Sequence, residues 1–205
     1  MTDREPIIRE LPFGFTWVQR EAMARASHAL VDEGRVWLVD PVDAPGVLER
    51  ARELGEIAGV IQLLDRHERD APALCKSLAV PHLRLPEELP GTPFEVVPVL
   101  GLRMWTERAL WWPAQRTLVV AEAVGTSPWF TAGSDPVGVH AMLRLTPPRA
   151  LRGFAPEHLL VGHGEPVSGD DARHGLRRAL GRARRDVPRW LAGLPGRIRA
   201  QRQTA

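Results

Sequence analysis

The chain has 205 residues, of which 44% are hydrophobic and 25% charged, with a formal net charge of +2. That length and apolar content suffice to bury a substantial core within one domain, and the near-balanced charge excludes a disordered chain or one that grips polyanions through its average composition. Cys75 is the single cysteine, which excludes an intramolecular disulfide and any zinc site of paired cysteines.

The opening stretch, MTDREPIIRELPFG, carries acids where a signal peptide is basic, and no later run approaches the ~20 apolar residues of a membrane span. A reducing cytoplasm is the expected compartment. β-Branched and aromatic residues predict strands at Ile7–Leu11, Gly14–Val18, Ala29–Asp32 and Arg35–Asp40, the last two joined by the turn Asp32-Glu33-Gly34. Val47, Leu48, Ala51 and Leu54 fall at helical spacing and predict a helix over Ala44–Leu54, stopped by Gly55. Gly59–Leu64 is a nearly continuous apolar run, the pattern of a strand covered on both faces, and it leads straight into the charged run DRHERD at 65–70. Charged residues at the carboxyl end of such a strand are where α/β proteins place their chemistry.

A helix is predicted at Ala71–Leu78, where Cys75 joins Leu74 and Leu78 as an inert core thiol, and a strand near Pro81–Leu85. After the proline-rich loop Leu85–Pro93 come strands at Phe94–Val99, Ala109–Trp112 and Thr117–Ala121, then a helical pattern over Pro136–Leu145. The buried strand His158–Val161 runs into Gly162-His163-Gly164, and Asp170–Val187 reads as a long basic helix. Residues 168–205 form a basic C-terminal segment of the single expected domain, 1–205. Within it Leu176, Ala179, Leu180, Ala183, Val187, Trp190 and Leu191 make an apolar stripe, the mark of a packed helix with a solvated arginine face.

Three landmarks, the strand followed by DRHERDA, TLVVAEAVG and HLLVGHGEPV, together resemble the metallo-β-lactamase superfamily over roughly residues 14 to 185. The resemblance implies an α/β (α+β) fold, a four-layer αββα sandwich in which strand ends from two sheets converge on one or two zinc ions. It also implies a set of substitutions at the ligand positions. Asp65 stands for the first histidine of the family's HxHxDH motif, while His67 keeps the second. Arg69 replaces the second-site aspartate, Asp70 the next histidine, Arg103 a further histidine and Glu122 the bridging aspartate; His163 is retained. An arginine stays protonated and cannot ligate a cation, and a unit-charge pair at 4 Å is worth about 4 kcal/mol at an effective dielectric of 20.

The first expectation is therefore a protein of this fold without the usual two-metal site, non-catalytic or altered in chemistry. In it Arg69 and Arg103 supply the pocket's positive charge against Asp65, Asp70 and Glu122, with no cofactor and with a small anionic ligand as partner. The opposing expectation is a mononuclear hydrolase of an ester, thioester or phosphodiester. There His67, His163 and one or two of Asp65, Asp70 and Glu122 hold a single Zn, Fe or Mn ion, and Asp70 is the candidate catalytic group. A nucleic-acid binder acting through the basic C-terminal helix is the second alternative. No membrane partner is expected, and a homodimer is compatible with the sequence. Spacing assigns no role to His28, His82, His140, His158 or His174. Trp105, Trp111, Trp112 and Trp129 flank the pocket segments, with core packing as their commoner use.

Overall fold

A computed structural model describes residues 5–204, so residues 1–4 and 205 of the expected domain lie outside the described residues. The chain opens with four strands, β1 (Ile7–Leu11), β2 (Gly14–Val18), β3 (Ala26–Asp32) and β4 (Arg35–Val39), paired as an antiparallel meander. Helix α1 (Val47–Leu54) crosses over to β5 (Glu56–Gln62), which lies parallel to β4; helix α2 (Ala71–Leu78) crosses to β6 (His82–Arg84), parallel to β5. The result is a six-stranded sheet in simple chain order.

The second sheet has the order β13-β12-β9-β8-β7, from β7 (Glu95–Leu102), β8 (Trp105–Trp112), β9 (Thr117–Val120), β12 (His158–Val161) and β13 (Val167–Ser168). Its one parallel pair is β9 with β12; the rest are antiparallel. A two-stranded ribbon, β10 (Val124–Gly125) with β11 (Gly138–Val139), and helices α3 (Asp170–Arg182), α4 (Val187–Ala192) and α5 (Leu194–Thr204) complete the chain.

Burial follows from strand alternation. In β4, Val36 and Leu38 face α1 and α2 together with Phe15, Trp17, Val47 and Ala51, while Trp37 and Val39 face the second sheet and pack with Leu110, Trp112 and Leu118. Helix α3 covers the outer side of the second sheet with Leu176, Ala179 and Leu180. The layers are therefore helix, sheet, sheet, helix, as the sequence predicts. No helix among the described residues is long and apolar enough to cross a membrane.

Two predicted helices are corrected. Residues 136–145 hold β11 and a single 3-10 turn, Ala141–Leu143. The backbone at Gly138 passes so close to Phe130 that a Cβ would meet its carbonyl oxygen at 1.8 Å, which fixes this segment as an extended pairing. The long basic helix stops at Arg182, and Pro188 sits in the first turn of the separate α4. Of the predicted stripe, Leu176, Ala179, Leu180 and Ala183 are buried, but Leu191 is exposed and Trp190 half-buried.

The two sheets are stitched at one edge. The Ala26 amide donates to Gly162 O at 2.9 Å, and the Arg108 amide to Leu63 O at 2.8 Å, joining the start of β3 to the end of β12 and the segment after β5 to β8. The carboxyl ends of β4, β5, β9 and β12 meet at this seam.

Leu118 has no exposure and lies between the sheets; Leu118→Ala is expected to cost about 2–5 kcal/mol in urea unfolding. His28, buried in β3 with its Nδ1 2.8 Å from Thr16 Oγ1, is pushed by burial from 6.5 down to about 3. The unfolded chain protonates this imidazole near 6.5 and the folded chain does not, so its linkage leaves stability intact above that pH and erodes it as the pH falls toward 3. Unfolding midpoints measured from pH 7 to pH 4 are expected to fall more steeply for the wild type than for His28→Gln, by up to about 1.4 kcal/mol per pH unit.

Candidate functional site

Four segments leave the seam together. After β4 comes Asp40, after β5 the loop 63–70, after β9 Glu122 and after β12 His163. His67, Glu122 and His163 each place one ligand-type atom so that all three lie within 4.8 Å of one another.

The orientation of the two imidazoles follows from what their other nitrogens touch. His67 Nδ1 is 3.0 Å from Asp40 Oδ2, and His163 Nδ1 is 3.1 Å from Met23 O. A carboxylate and a carbonyl can only accept, so each Nδ1 carries the proton and each neutral ring offers the Nε2 lone pair. His163 Nε2 is buried and has no hydrogen-bond partner among the described residues. Burial, joined by the Arg69 charge, holds His67 below its ordinary range; burial, again joined by the Arg69 charge, pushes His163 down to about 4. Both rings are held in the form that can donate a lone pair.

Glu122 turns one oxygen to each side. Oε2 accepts from Arg66 Nε at 3.0 Å and Nη2 at 2.8 Å, while Oε1 lies 3.9 Å from both His163 Nε2 and His140 Nε2. Burial opposes its charge, but the facing His67 and the Arg66 guanidinium outweigh that and keep the carboxyl below its usual range. Arg66 stacks over Trp105 at 4.1 Å and donates to Met104 O, which fixes its position at the mouth of the site.

His140 sits beside this group in a frame of aromatic edges, Trp105 at 4.8 Å and Phe130 at 5.5 Å. Its Nδ1 accepts from the Met142 amide at 3.3 Å, so the neutral ring carries its proton on Nε2, toward Glu122. Such a ring is a donor to whatever enters the site, not a ligand. Phe130 also stacks on His163, with 21° between the planes.

Arg69 lies beneath the site with a backbone φ of 44°. Its guanidinium donates to Ala26 O and Asp40 O at 2.6 Å each and to Gly162 O at 3.0 Å. Burial lowers its pKa to about 10, against the pull of Asp40, so it remains charged at neutral pH. The expected pairing of Arg69 with Asp65, Asp70 and Glu122 is corrected: its hydrogen bonds go to backbone carbonyls of three strand ends.

Arg103 is also corrected. It lies exposed at the tip of the β7–β8 hairpin, because Leu102 pairs with Trp105 and leaves 103 and 104 as the turn. The pocket-mouth guanidinium belongs to Arg66 instead. Asp65 Oδ2 accepts from the Thr106 amide at 2.8 Å, and Asp70 Oδ2 from the Asp43 amide at 2.9 Å, so both carboxylates brace loops outside the three-residue group.

Sequence reasoning did not single out Asp40, Arg66, His140 or Glu107. Asp40 is buried and also accepts from the Leu63 amide at 2.8 Å. Burial opposes its charge, but the hydrogen bond from His67, the Arg69 guanidinium and the Leu63 amide outweigh burial and hold its carboxyl below its usual range. Its signal in the sequence was its place after the apolar run VWLV, a strand end like those of the recognised motifs. Glu107 is fully buried; its Oε1 accepts from the Glu122 and Ala123 amides at 2.9 Å and its Oε2 from Trp105 Nε1 at 2.9 Å. Burial raises it to about 7 despite these donors.

No family model and no curated protein matches the chain. Among solved structures it is similar to the DIM-1 metallo-β-lactamase exposed to ceftazidime, with 13% identity, 89% of this chain and 100% of that one covered, and a TM-score of 0.63. A second structure of the DIM-1 metallo-β-lactamase matches at 14% identity and a TM-score of 0.60, covering 88% of this chain and 99% of that one. The apo chemotaxis sensor ODP from T. denticola matches at 12% identity and a TM-score of 0.55, covering 86% and 94%. Similarity at these TM-scores over nearly the whole of both chains shows that the chain has the metallo-β-lactamase fold.

Proposed function

We propose that this protein is a mononuclear metal-dependent hydrolase of an ester, thioester or phosphodiester bond, with His67, Glu122 and His163 holding one ion. The observation that carries the reading is the buried, unpartnered Nε2 of His163, facing a second imidazole and a carboxylate oxygen within 4.8 Å. A buried polar atom without a partner is costly, and two neutral imidazoles with one carboxylate are a donor set suited to zinc and to iron. The acceptors on both Nδ1 atoms are the outer bonds that orient ligating histidines. The geometry favours this over a metal-free pocket, since a purely ionic pocket has no use for two imidazoles held neutral.

One ion fits and a second does not. The guanidinium of Arg69 occupies the base of the site, Oδ2 of Asp65 and Oδ2 of Asp70 each accept from a backbone amide while Asp65 Oδ1 is buried without a partner among the described residues, and Arg103 is on the hairpin tip. A bound ion supplies Lewis acidity and lowers the pKa of water toward neutrality. The chain's own residues do the rest. His140 presents Nε2–H to the leaving group or the developing oxyanion, Arg66 attracts an anionic substrate at the mouth, and Trp105 and Phe130 keep bulk water from the reacting atoms. Asp70, the candidate from sequence, has no part in this chemistry because it holds the 41–43 loop at the start of α2.

Elemental analysis of protein purified without chelators and then offered Zn²⁺, Mn²⁺ or Fe²⁺ is expected to give about one ion per chain. Hydrolysis of p-nitrophenyl acetate, an acyl thioester or bis-p-nitrophenyl phosphate should depend on that ion. Uptake of two ions, or none at micromolar metal, overturns the proposal. Asp40→Ala frees His67 Nδ1 and is expected to weaken metal affinity about 10- to 100-fold in competition with a chromophoric chelator, while His140→Gln lowers the rate and leaves affinity unchanged. Arg69→Met deserts three carbonyls and is expected to cost about 3 kcal/mol of stability. In the same variant, NMR titration of the metal-free protein should show the His163 pKa moving up, because a nearby positive charge is gone.

A further inference from the structure

Beside the C-terminal end of α3, a cleft of about 790 Å³ opens between that helix end, the end of β7 and the segment 143–152. Its floor is apolar, with Val99, Leu143 and Leu180 all buried, and its rim carries Arg149, Arg152, Arg184 and Arg185. No carboxylate lines it. A smaller hollow beside it, sharing Arg152, Leu180 and Gly181, adds Arg177 to the same basic surface.

Elsewhere arginines of this chain find acids: Arg9 pairs with Glu165, Arg25 with Glu21, Arg50 with Glu10 and Arg173 with Glu157. Among the described residues the four rim arginines pair with none, and only Arg184 is spoken for, its Nε donating to Leu145 O at 2.6 Å. Gathering like charges around one concavity is unfavourable until an anion fills it. Since 27 basic residues face 25 acidic ones over the whole chain, the excess here is local.

We propose that this cleft binds a soluble phosphate ester that carries a hydrocarbon portion, the phosphate held by the rim guanidiniums and the hydrocarbon lying on the leucine and valine floor. Guanidinium forks match phosphate oxygens in pairs, and the volume suits a ligand several times larger than inorganic phosphate. No aromatic residue lines the cleft, so bases have nothing to stack on and single-stranded nucleic acid is a poor fit. The ligand binds with or without an ion at His67, Glu122 and His163.

Gly181 supplies a clean test, because it lines the cleft and a Cβ added there meets nothing within 4 Å. Calorimetric titration of the full chain with monomeric dodecyl phosphate is expected to show binding that inorganic phosphate and dodecanol do not match. Each methylene removed from the alkyl chain should weaken it about fourfold. Gly181→Leu and the pair Arg149→Ala with Arg185→Ala are each expected to weaken it about tenfold or more, while His163→Ala leaves it unchanged. Equal affinity in wild type and Gly181→Leu overturns the proposal. So does loss of binding in His163→Ala, which would place the ligand at the metal site. Sedimentation with phosphatidylglycerol vesicles, or retention of DNA, without binding of monomeric dodecyl phosphate would assign the arginines to a membrane or a nucleic acid and overturn it as well.

Discussion

The guanidinium of Arg69, held by the carbonyls of Ala26, Asp40 and Gly162, is the interaction on which the geometry of this edge depends. Those carbonyls belong to the start of β3 and to the residues just after β4 and β12, so one side chain reinforces the backbone bonds that stitch the two sheets at this edge. A carbonyl oxygen has two lone pairs and can take a second donor, and a buried guanidinium needs acceptors. The left-handed backbone at residue 69 is part of the same arrangement, since it turns the loop 65–70 back beneath the strand ends.

From that clamp the rest of the site follows in layers. Asp40 offers its backbone oxygen to Arg69 and its carboxylate to His67 and the Leu63 amide, so it couples the clamp to the first imidazole. Gly162 offers its carbonyl to Arg69 and leads directly into His163. A Cβ on Gly162 would meet Ala121 O at 2.1 Å and His67 at 3.1 Å, which is why the glycine before His163 is needed for the two rings to approach. On the other side Glu107 receives the amides of Glu122 and Ala123 and thereby sets the direction in which Glu122 points.

The fold was legible because it is written in local patterns: apolar runs for strands covered on both faces, glycine stops, and the order of strand and helix across the first eighty residues. His67, Glu122 and His163 were legible as strand-end residues within recognisable motifs. The misplacements have a common cause. Arg103, Asp65 and Asp70 were assigned by counting from a motif, and counting cannot tell a strand end from a hairpin tip when pairing register decides which it is. Leu102 opposite Trp105 sends residue 103 outward, and the Thr106 and Asp43 amides capture the two aspartates. His140 was illegible for another reason: its segment reads as a helix by periodicity, and only the close passage of Gly138 against Phe130 makes it extended.

Charge balance around His67, Glu122 and His163 is compatible with the proposed single ion. The two guanidiniums of Arg66 and Arg69 are matched by the carboxylates of Asp40 and Glu122, whose pKa values are both held low, while His67 and His163 are held neutral. Glu107, raised to about 7, contributes at most a partial negative charge. The protein frame of the site is thus close to neutral before anything binds. In the proposed reading one divalent ion would make it positive, which would favour an anionic substrate and a lowered water pKa. Two ions would double that charge beside the Arg69 guanidinium. The Arg69 charge also adds to burial in holding both histidines unprotonated.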